Sequence, residues 1–250
     1  NLSTAVLLGL VCLLMMFVGH ISLIRIGRMM LVLLLLLVAL LGLAKIAPET
    51  THRVLPRLET WSNRLTEHLD DRASDNDLVK DDNPQVITDD NYQVSHAKIA
   101  IARGGLFGKM PGRSVQRDFL PLAYSDFIFA IIIEELGLVG GTVVLLLYIM
   151  LLIRVGIIAR RCNLLFQKYL VIGCGLMIVI QALTNMAVAV NLMPVTGQPL
   201  PLISRGGTST VLTCVYFGLI LSVSRFGAGM GDEEAAEEEA VEEAEAEAEA

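Results

Sequence analysis

Charged side chains are scarce in this sequence. Asp, Glu, Lys and Arg make up 18% of its 250 residues while 54% are hydrophobic, and the mean hydropathy is +0.62. A soluble domain of this length has no interior large enough to take up so much apolar surface, so that class is excluded. Cysteine is also sparse. Cys12, Cys162, Cys174 and Cys214 lie in or beside hydrophobic runs without metal-ligand spacing, which predicts neither a disulfide nor a metal site from them. No internal repeat is evident. The first hydrophobic run lacks a basic segment before it and a small-residue cleavage site after it, so it does not read as a signal peptide. The chain does not start with Met and reads as beginning part-way through a longer protein.

The apolar residues gather in five runs, residues 2–18, 29–47, 127–153, 169–193 and 208–224. Each approaches or exceeds the roughly 20 residues that cross about 30 Å of hydrocarbon. The expected fold class is therefore all-α, a polytopic integral membrane protein with about five transmembrane helices. Basic residues in short loops resist translocation and set the orientation. Arg25 and Arg28 separate runs one and two, Arg154, Arg160, Arg161 and Lys168 separate runs three and four, and Arg225 follows run five. Those loops are expected to be cytoplasmic. Residues 1–47 then carry two helices, 48–125 form a large extracytoplasmic loop, and 126–226 carry three helices with an outer Pro/Gly-rich connection at 194–207. Within the large loop, residues 70–90 are rich in Asp, Asn, Ser and Lys and read as a mobile excursion. Residues 227–250 read as a disordered, acidic cytoplasmic tail. Residues 232–250 hold eleven carboxylates and no base, and removing those eleven from the net charge of −7 leaves +4.

Four places could carry chemistry. Ser125-Asp126 puts a carboxylate where an aqueous face meets the third run; it could cap the helix N-terminus, act as a base, or do both. Glu134 and Glu135 interrupt the same run, Glu134 about 12 Å further along the axis than Asp126. An acid at that depth is a functional candidate or is paired with a neighbouring helix. Residues 104–117 combine Gly104, Gly105, Gly108 and Gly112 with Lys109, Arg113 and Arg117. Flexible amides and cations suit a pyrophosphate or, equally, lipid headgroups. The Gly-Lys-Ser/Thr ending of a Walker A loop is absent. Finally, Pro194, Pro199, Pro201, Gly197, Gly206 and Gly207 preclude a regular helix between runs four and five, in a segment too apolar for a free loop. Broken backbone there is expected to be buried in protein or to line a cavity.

In order, the chain has Gly112, Ser114-Val115-Gln116, Leu120-Pro121, Ser125-Asp126-Phe127-Ile128-Phe129-Ala130 and Glu134-Glu135-Leu136-Gly137. It then has Met193-Pro194-Val195-Thr196-Gly197-Gln198-Pro199-Leu200-Pro201 continuing through Ser204-Arg205-Gly206-Gly207-Thr208-Ser209. Together with Tyr92-Gln93 and Asn1-Leu2-Ser3-Thr4, these motifs resemble the C-terminal half of the FtsW/RodA/SpoVE (SEDS) family, and FtsW in particular, over residues 1 to about 226 apart from the 70–90 excursion. The departures are Leu122-Ala123-Tyr124 where the family commonly has Glu-x-His, Arg205 where an aromatic often precedes Gly-Gly, and Met110 at a usual glycine. The resemblance implies about ten membrane helices in the whole fold, half of them here.

It also implies a peptidoglycan glycosyltransferase in the bacterial inner (cytoplasmic) membrane, polymerising lipid II into β-1,4 glycan strands during division or elongation by inverting displacement of undecaprenyl pyrophosphate. Asp126 is the candidate catalytic base. Lys109, Arg113 and Arg117, with Arg57, Ser204, Arg205 and Glu134, are the candidate substrate-binding residues. No metal ligand and no certain cofactor is assigned, although a divalent cation at the pyrophosphate is compatible with the chemistry. The implied partners are a class B penicillin-binding protein (a transpeptidase), other division or elongation proteins and membrane lipid, with no nucleic acid. Two rivals remain: a lipid II flippase with Glu134, Glu135, Gln181 and Asn185 along a polar path, and a noncatalytic divisome scaffold. The orientation is tested by thiol labelling: Asp81→Cys is expected to react with an impermeant reagent from outside and Arg160→Cys is not. The reverse pattern would overturn the assignment of Asp126 to the outer face.

Overall fold

The computed structural model describes residues 2–46, 92–120 and 124–225, and all regular structure among them is helical. Helix α1 spans Leu2–Val18 and α2 spans Leu23–Ile46; α3 is Tyr92–Gly104, followed by a 3₁₀ turn at Gln116–Asp118; α4 is Ile128–Arg161 and α5 is Leu165–Ala189. The last helix, α6, is Gly207–Arg225, and α4, α5 and α6 are each long and apolar enough to cross a membrane. A helix thus lies on each of the five hydrophobic runs, because a spanning segment in hydrocarbon must satisfy its amides and carbonyls within itself. The structure departs from the sequence reading in several places: α3 is a helix within the segment expected to be a loop, α5 spans Leu165–Ala189 where the hydrophobic run is 169–193, and two further boundaries have evident causes. α2 starts at Leu23 instead of 29, since Arg25 and Arg28 are good helix formers that extend it backwards, with Arg25 Nε donating to Ser22 Oγ at 2.9 Å. α4 continues past 153 to Arg161, where Arg160 and Arg161 in the last turn complement the negative end of the helix dipole.

The core forms where α4 packs on α5, with α3 docked on α4 and α1 on α5. Phe129, Ile131 and Ile133 of α4 are buried with Val171, Ile178, Ala182 and Met186 of α5. Small residues let the backbones approach. A Cβ on Gly175 would stand 2.6 Å from Val155 Cγ1, and Ala97, Ala100 and Gly104 give α3 a small face against α4. On the outward face of α4, Val139, Val143, Leu146, Leu147 and Met150 are exposed, and the hydroxyl of exposed Thr142 donates to the Leu138 carbonyl of its own helix at 2.8 Å. This face is suited to lipid.

α4 is not one continuous helix. Gly137 has φ 74° and ψ −174°, a region open essentially to glycine alone, and it divides α4 into residues 128–136 and 138–161. The interrupted ladder is completed by the Gly-rich segment after α3. Lys109 N donates to the Glu134 carbonyl at 3.0 Å and Met110 N to that of Glu135 at 2.9 Å, while Leu138 N donates to the Gly105 carbonyl at 2.9 Å and Val139 N to that of Leu106 at 3.3 Å. The two backbones lie so close that a Cβ on Gly137 would sit 2.2 Å from the Leu106 oxygen. One on Gly108 would sit 2.2 Å from the Glu135 oxygen, and one on Gly104 2.0 Å from the Ile133 oxygen. The capping role weighed for Ser125 and Asp126 is not what the structure has: the N-cap of α4 is Phe127, without a side-chain cap hydrogen bond.

This splice makes a graded stability prediction for the intact protein. Gly156→Ala, helical with open space around it, is expected to leave the thermal unfolding midpoint in detergent unchanged or slightly raised. Gly105→Ala has room but φ +54°, and is expected to cost about 1–2 kcal/mol. Gly137→Ala and Gly108→Ala meet backbone that has nowhere to go and are expected to cost more than Gly105→Ala. Gly137→Ala melting like Gly156→Ala would show that the splice is loose.

Candidate functional site

The segment that closes the break also closes over Glu134, whose side chain is 0% exposed. Ser114 Oγ donates to Glu134 Oε2 at 2.5 Å, Gln116 N to the same oxygen at 3.2 Å, and Val115 N to Oε1 at 3.4 Å. Lys109 Nζ stands 3.6 Å from Oε1. A buried carboxylate is costly unless hydrogen-bonded and paired, and this one is both. The turn is tied further: Ser114 Oγ accepts from Arg117 N at 3.2 Å, and Gln116 Oε1 lies 2.6 Å from His96 Nδ1 of α3. The His96 ring stacks on Phe119 at 5.6 Å between centroids.

Asp126 stands two residues before α4, part-buried. Ser125 Oγ donates to its Oδ1 at 2.7 Å. Its Oδ2 faces Gly197 of the 194–207 connection, where an added Cβ would be 3.6 Å away; Gly197 itself has φ 64°. The connection folds onto α1, α4 and α5, and side chains supply the donors that an irregular backbone lacks. Asn185 Nδ2 donates to the carbonyls of Asp126 and Gln198, both at 2.8 Å. Gln181 Nε2 donates to the Pro199 carbonyl at 3.0 Å, and the Tyr148 hydroxyl to that of Pro201. Gln198 Nε2 reaches Thr4 Oγ1 of α1 at 2.9 Å. Ser204 Oγ accepts from Leu200 N at 2.7 Å and donates to the Ser125 carbonyl at 2.6 Å, and Arg205 N donates to the Tyr124 carbonyl at 2.9 Å. Asp126 is therefore held through its own carbonyl by Asn185 of α5 and through Ser125 by Ser204 of the connection.

The candidate residues fall into two groups. Lys109 and Glu134 come together, and Ser204 comes against Ser125, each engaged in holding the fold. Arg113 and Arg205 are exposed, the Arg205 guanidinium 5.7 Å from the Tyr124 ring centroid in cation–π range. Arg117 is part-exposed with Nε 3.6 Å from Asp118 Oδ1. Arg57 and the acidic tail lie outside the described residues. Among the described residues no three His, Cys, Asp or Glu side chains converge, so this donor set does not by itself make a divalent-cation site.

Sequence reasoning missed Gly137 as a helix break, Ser114 and Gln116 as partners of Glu134, and Gln198 as a tie to α1. The rival flippase reading put Gln181 and Asn185 on a polar path, whereas their amides hold the connection. Asn185 Oδ1 is buried without a partner among the described residues. The available signal was the pairing of lone polar residues in apolar runs with a Pro/Gly-rich segment that needs donors.

Comparison with known proteins accords with this architecture. Residues 1–228 match the model of the FtsW/RodA/SpoVE family, described as cell cycle proteins. The chain is 31% identical over 228 residues to the probable peptidoglycan glycosyltransferase FtsW of Coxiella burnetii, covering 90% of this chain and 54% of that protein. It is 34% identical over 227 residues to stage V sporulation protein E of Bacillus subtilis, covering 90% and 55%. With the peptidoglycan glycosyltransferase MrdB of Escherichia coli it shares 40% identity over 134 residues, 53% of this chain and 36% of that protein. A chain of a solved structure described as "Structural coordination of polymerization and crosslinking by a peptidoglycan synthase complex" aligns with 32% identity and a TM-score of 0.44, over 52% of this chain and 36% of that one. The chain spans about half the length of the curated relatives that it matches along 90% of itself. It is an all-α, polytopic membrane protein and belongs to the FtsW/RodA/SpoVE family.

Proposed function

We propose that the intact protein is a peptidoglycan glycosyltransferase of the cytoplasmic membrane that polymerises lipid II at the outer face, and that Asp126 is its general base. Several similar proteins carry the name peptidoglycan glycosyltransferase, which supports the reaction class. In the step, the 4-hydroxyl of the acceptor sugar gives its proton to Asp126 Oδ2 while its oxygen forms a bond to the anomeric carbon of the donor. The bond from that carbon to the pyrophosphate oxygen breaks, the electron pair leaves with undecaprenyl pyrophosphate, and the configuration inverts. A positioned base and cations at the leaving group are what this displacement requires. Arg113 and Arg117, exposed or part-exposed on the Gly-rich segment, are the cations assigned to the pyrophosphate, with Arg57 and Arg205 as further ones. A class B penicillin-binding protein as transpeptidase partner, and other division or elongation proteins, come with this reading from the family.

The observation that carries the choice is the contrast between two acids, Asp126 just before α4 and Glu134 within it. Asp126 is part-exposed, with one oxygen oriented by Ser125 and the other toward Gly197. Glu134 is sealed under Ser114, Val115 and Gln116. Gln181 and Asn185 are likewise spent on backbone carbonyls. Three of the four residues of the flippase path are thus engaged in holding the fold, which leaves half-buried Glu135 and the Oδ1 of Asn185 to meet a passing headgroup and favours the polymerase. Asp126→Asn preserves shape, keeps an oxygen for Ser125 and disturbs no helix cap. In the intact protein it is expected to insert and fold normally, yet to lower kcat on purified lipid II by about 10² to 10⁴. Near-normal polymerisation by this variant would overturn the assignment.

A further inference from the structure

We infer that Glu134 is a positioning residue: it anchors the Gly-rich segment and takes up Lys109, so that Arg113 and Arg117, and neither Lys109 nor Glu134, meet the leaving pyrophosphate. The inference rests on the glycosyltransferase reading for its substrate, but the anchor itself is geometric. Glu134 is fully buried and receives hydrogen bonds on both oxygens from three consecutive residues, Ser114, Val115 and Gln116. Both arginines hang from this attachment. Arg117 N donates to Ser114 Oγ, the same hydroxyl that donates to Glu134. Arg113 N donates to the Met110 carbonyl, and Met110 N donates to the Glu135 carbonyl of α4. The segment that carries the cations is thus fixed to residues 134–135, in the same half-helix that begins just after Asp126. Base and cations are held by one element.

Charge points the same way. An anionic diphosphate approaching the segment would be repelled by a bare carboxylate beneath it, and Lys109 Nζ, 3.6 Å from Glu134 Oε1, offsets that charge. Removing Lys109 leaves a buried acid without its counter-ion, so its loss should be felt through Glu134. A direct lysine–phosphate contact would behave differently: its loss would not be repaired by any change at Glu134.

The test uses the intact protein with purified lipid II as substrate. Lys109→Met is expected to raise KM about tenfold with kcat changed less than about threefold, and Lys109→Met/Glu134→Gln to return KM to within about threefold of wild type, as groups in one network couple. Arg113→Ala is expected to raise KM without such repair by Glu134→Gln. Independently of turnover, hydrogen exchange of a peptide covering residues 108–117 is expected to quicken at least about tenfold in Glu134→Ala and in the milder Ser114→Ala, while residues 165–189 stay unchanged. If the double variant were as impaired as Lys109→Met or worse, Lys109 would contact substrate itself and the inference would fall. Unchanged exchange in both anchor variants would overturn it equally. Exchange is read without substrate, so it judges the anchor even if Asp126→Asn kept full turnover and the glycosyltransferase reading were lost.

Discussion

Hydrocarbon offers no hydrogen bonds, and the architecture around Asp126 depends on that constraint. A helix broken inside such a medium frees amides and carbonyls whose neglect costs several kcal/mol in total. α4 is broken at Gly137, and the break persists because residues 105–110 lie in it and exchange four hydrogen bonds with residues 134, 135, 138 and 139. Glycines at 104, 108 and 137 make the approach sterically feasible. The side chain of Glu134 then holds the continuation of the same segment. The break and the Glu134 carboxylate together hold the segment after α3 on α4.

The 194–207 connection answers the same constraint by a different route. Here the donors are side chains: Asn185, Gln181 and Tyr148 reach carbonyls of the connection, while Ser204 joins it to Ser125. Polar residues inside membrane spans are usually read as pathways. In this protein several of them serve irregular backbone, which leaves fewer groups to act on a ligand and concentrates interest on Asp126 and the exposed arginines. Asn185 joins the two tasks, since its amide touches the carbonyl of Asp126 and that of Gln198 at once. Through Gln198 and Thr4 the arrangement extends to α1, so three helices and the connection share the placement of one carboxylate.

Hydropathy and composition told where the five long apolar helices lie, because each such run reports the solvent around it, but they did not reveal α3, which lies in the segment read as a loop. All five runs are helical, and the motif residues Ser125-Asp126, Glu134 and 194–207 are the ones around which the polar contacts gather. The break at Gly137 was not legible, since Leu-Gly inside an apolar run is common where a helix continues. The Ser-Val-Gln run was legible as a motif and illegible as a partner of Glu134. Likewise a Gly-rich cationic segment reads as a ligand cradle, yet the amides of Lys109, Met110, Val115 and Gln116 are turned inward to α4.

By itself the sequence determined the helical class, the membrane as solvent and the family, for these follow from local runs and from motifs read in order. Tertiary structure decided which polar groups face each other, a matter of long-range pairing that no local pattern encodes. Glu134 and Ser114 are 20 residues apart, Asn185 and Asp126 59, Ser204 and Ser125 79, and Gln198 and Thr4 194. In a medium without water, the folded chain itself must supply each such partner, and so the fold alone determines which acid is buried as an anchor and which stays open to a ligand.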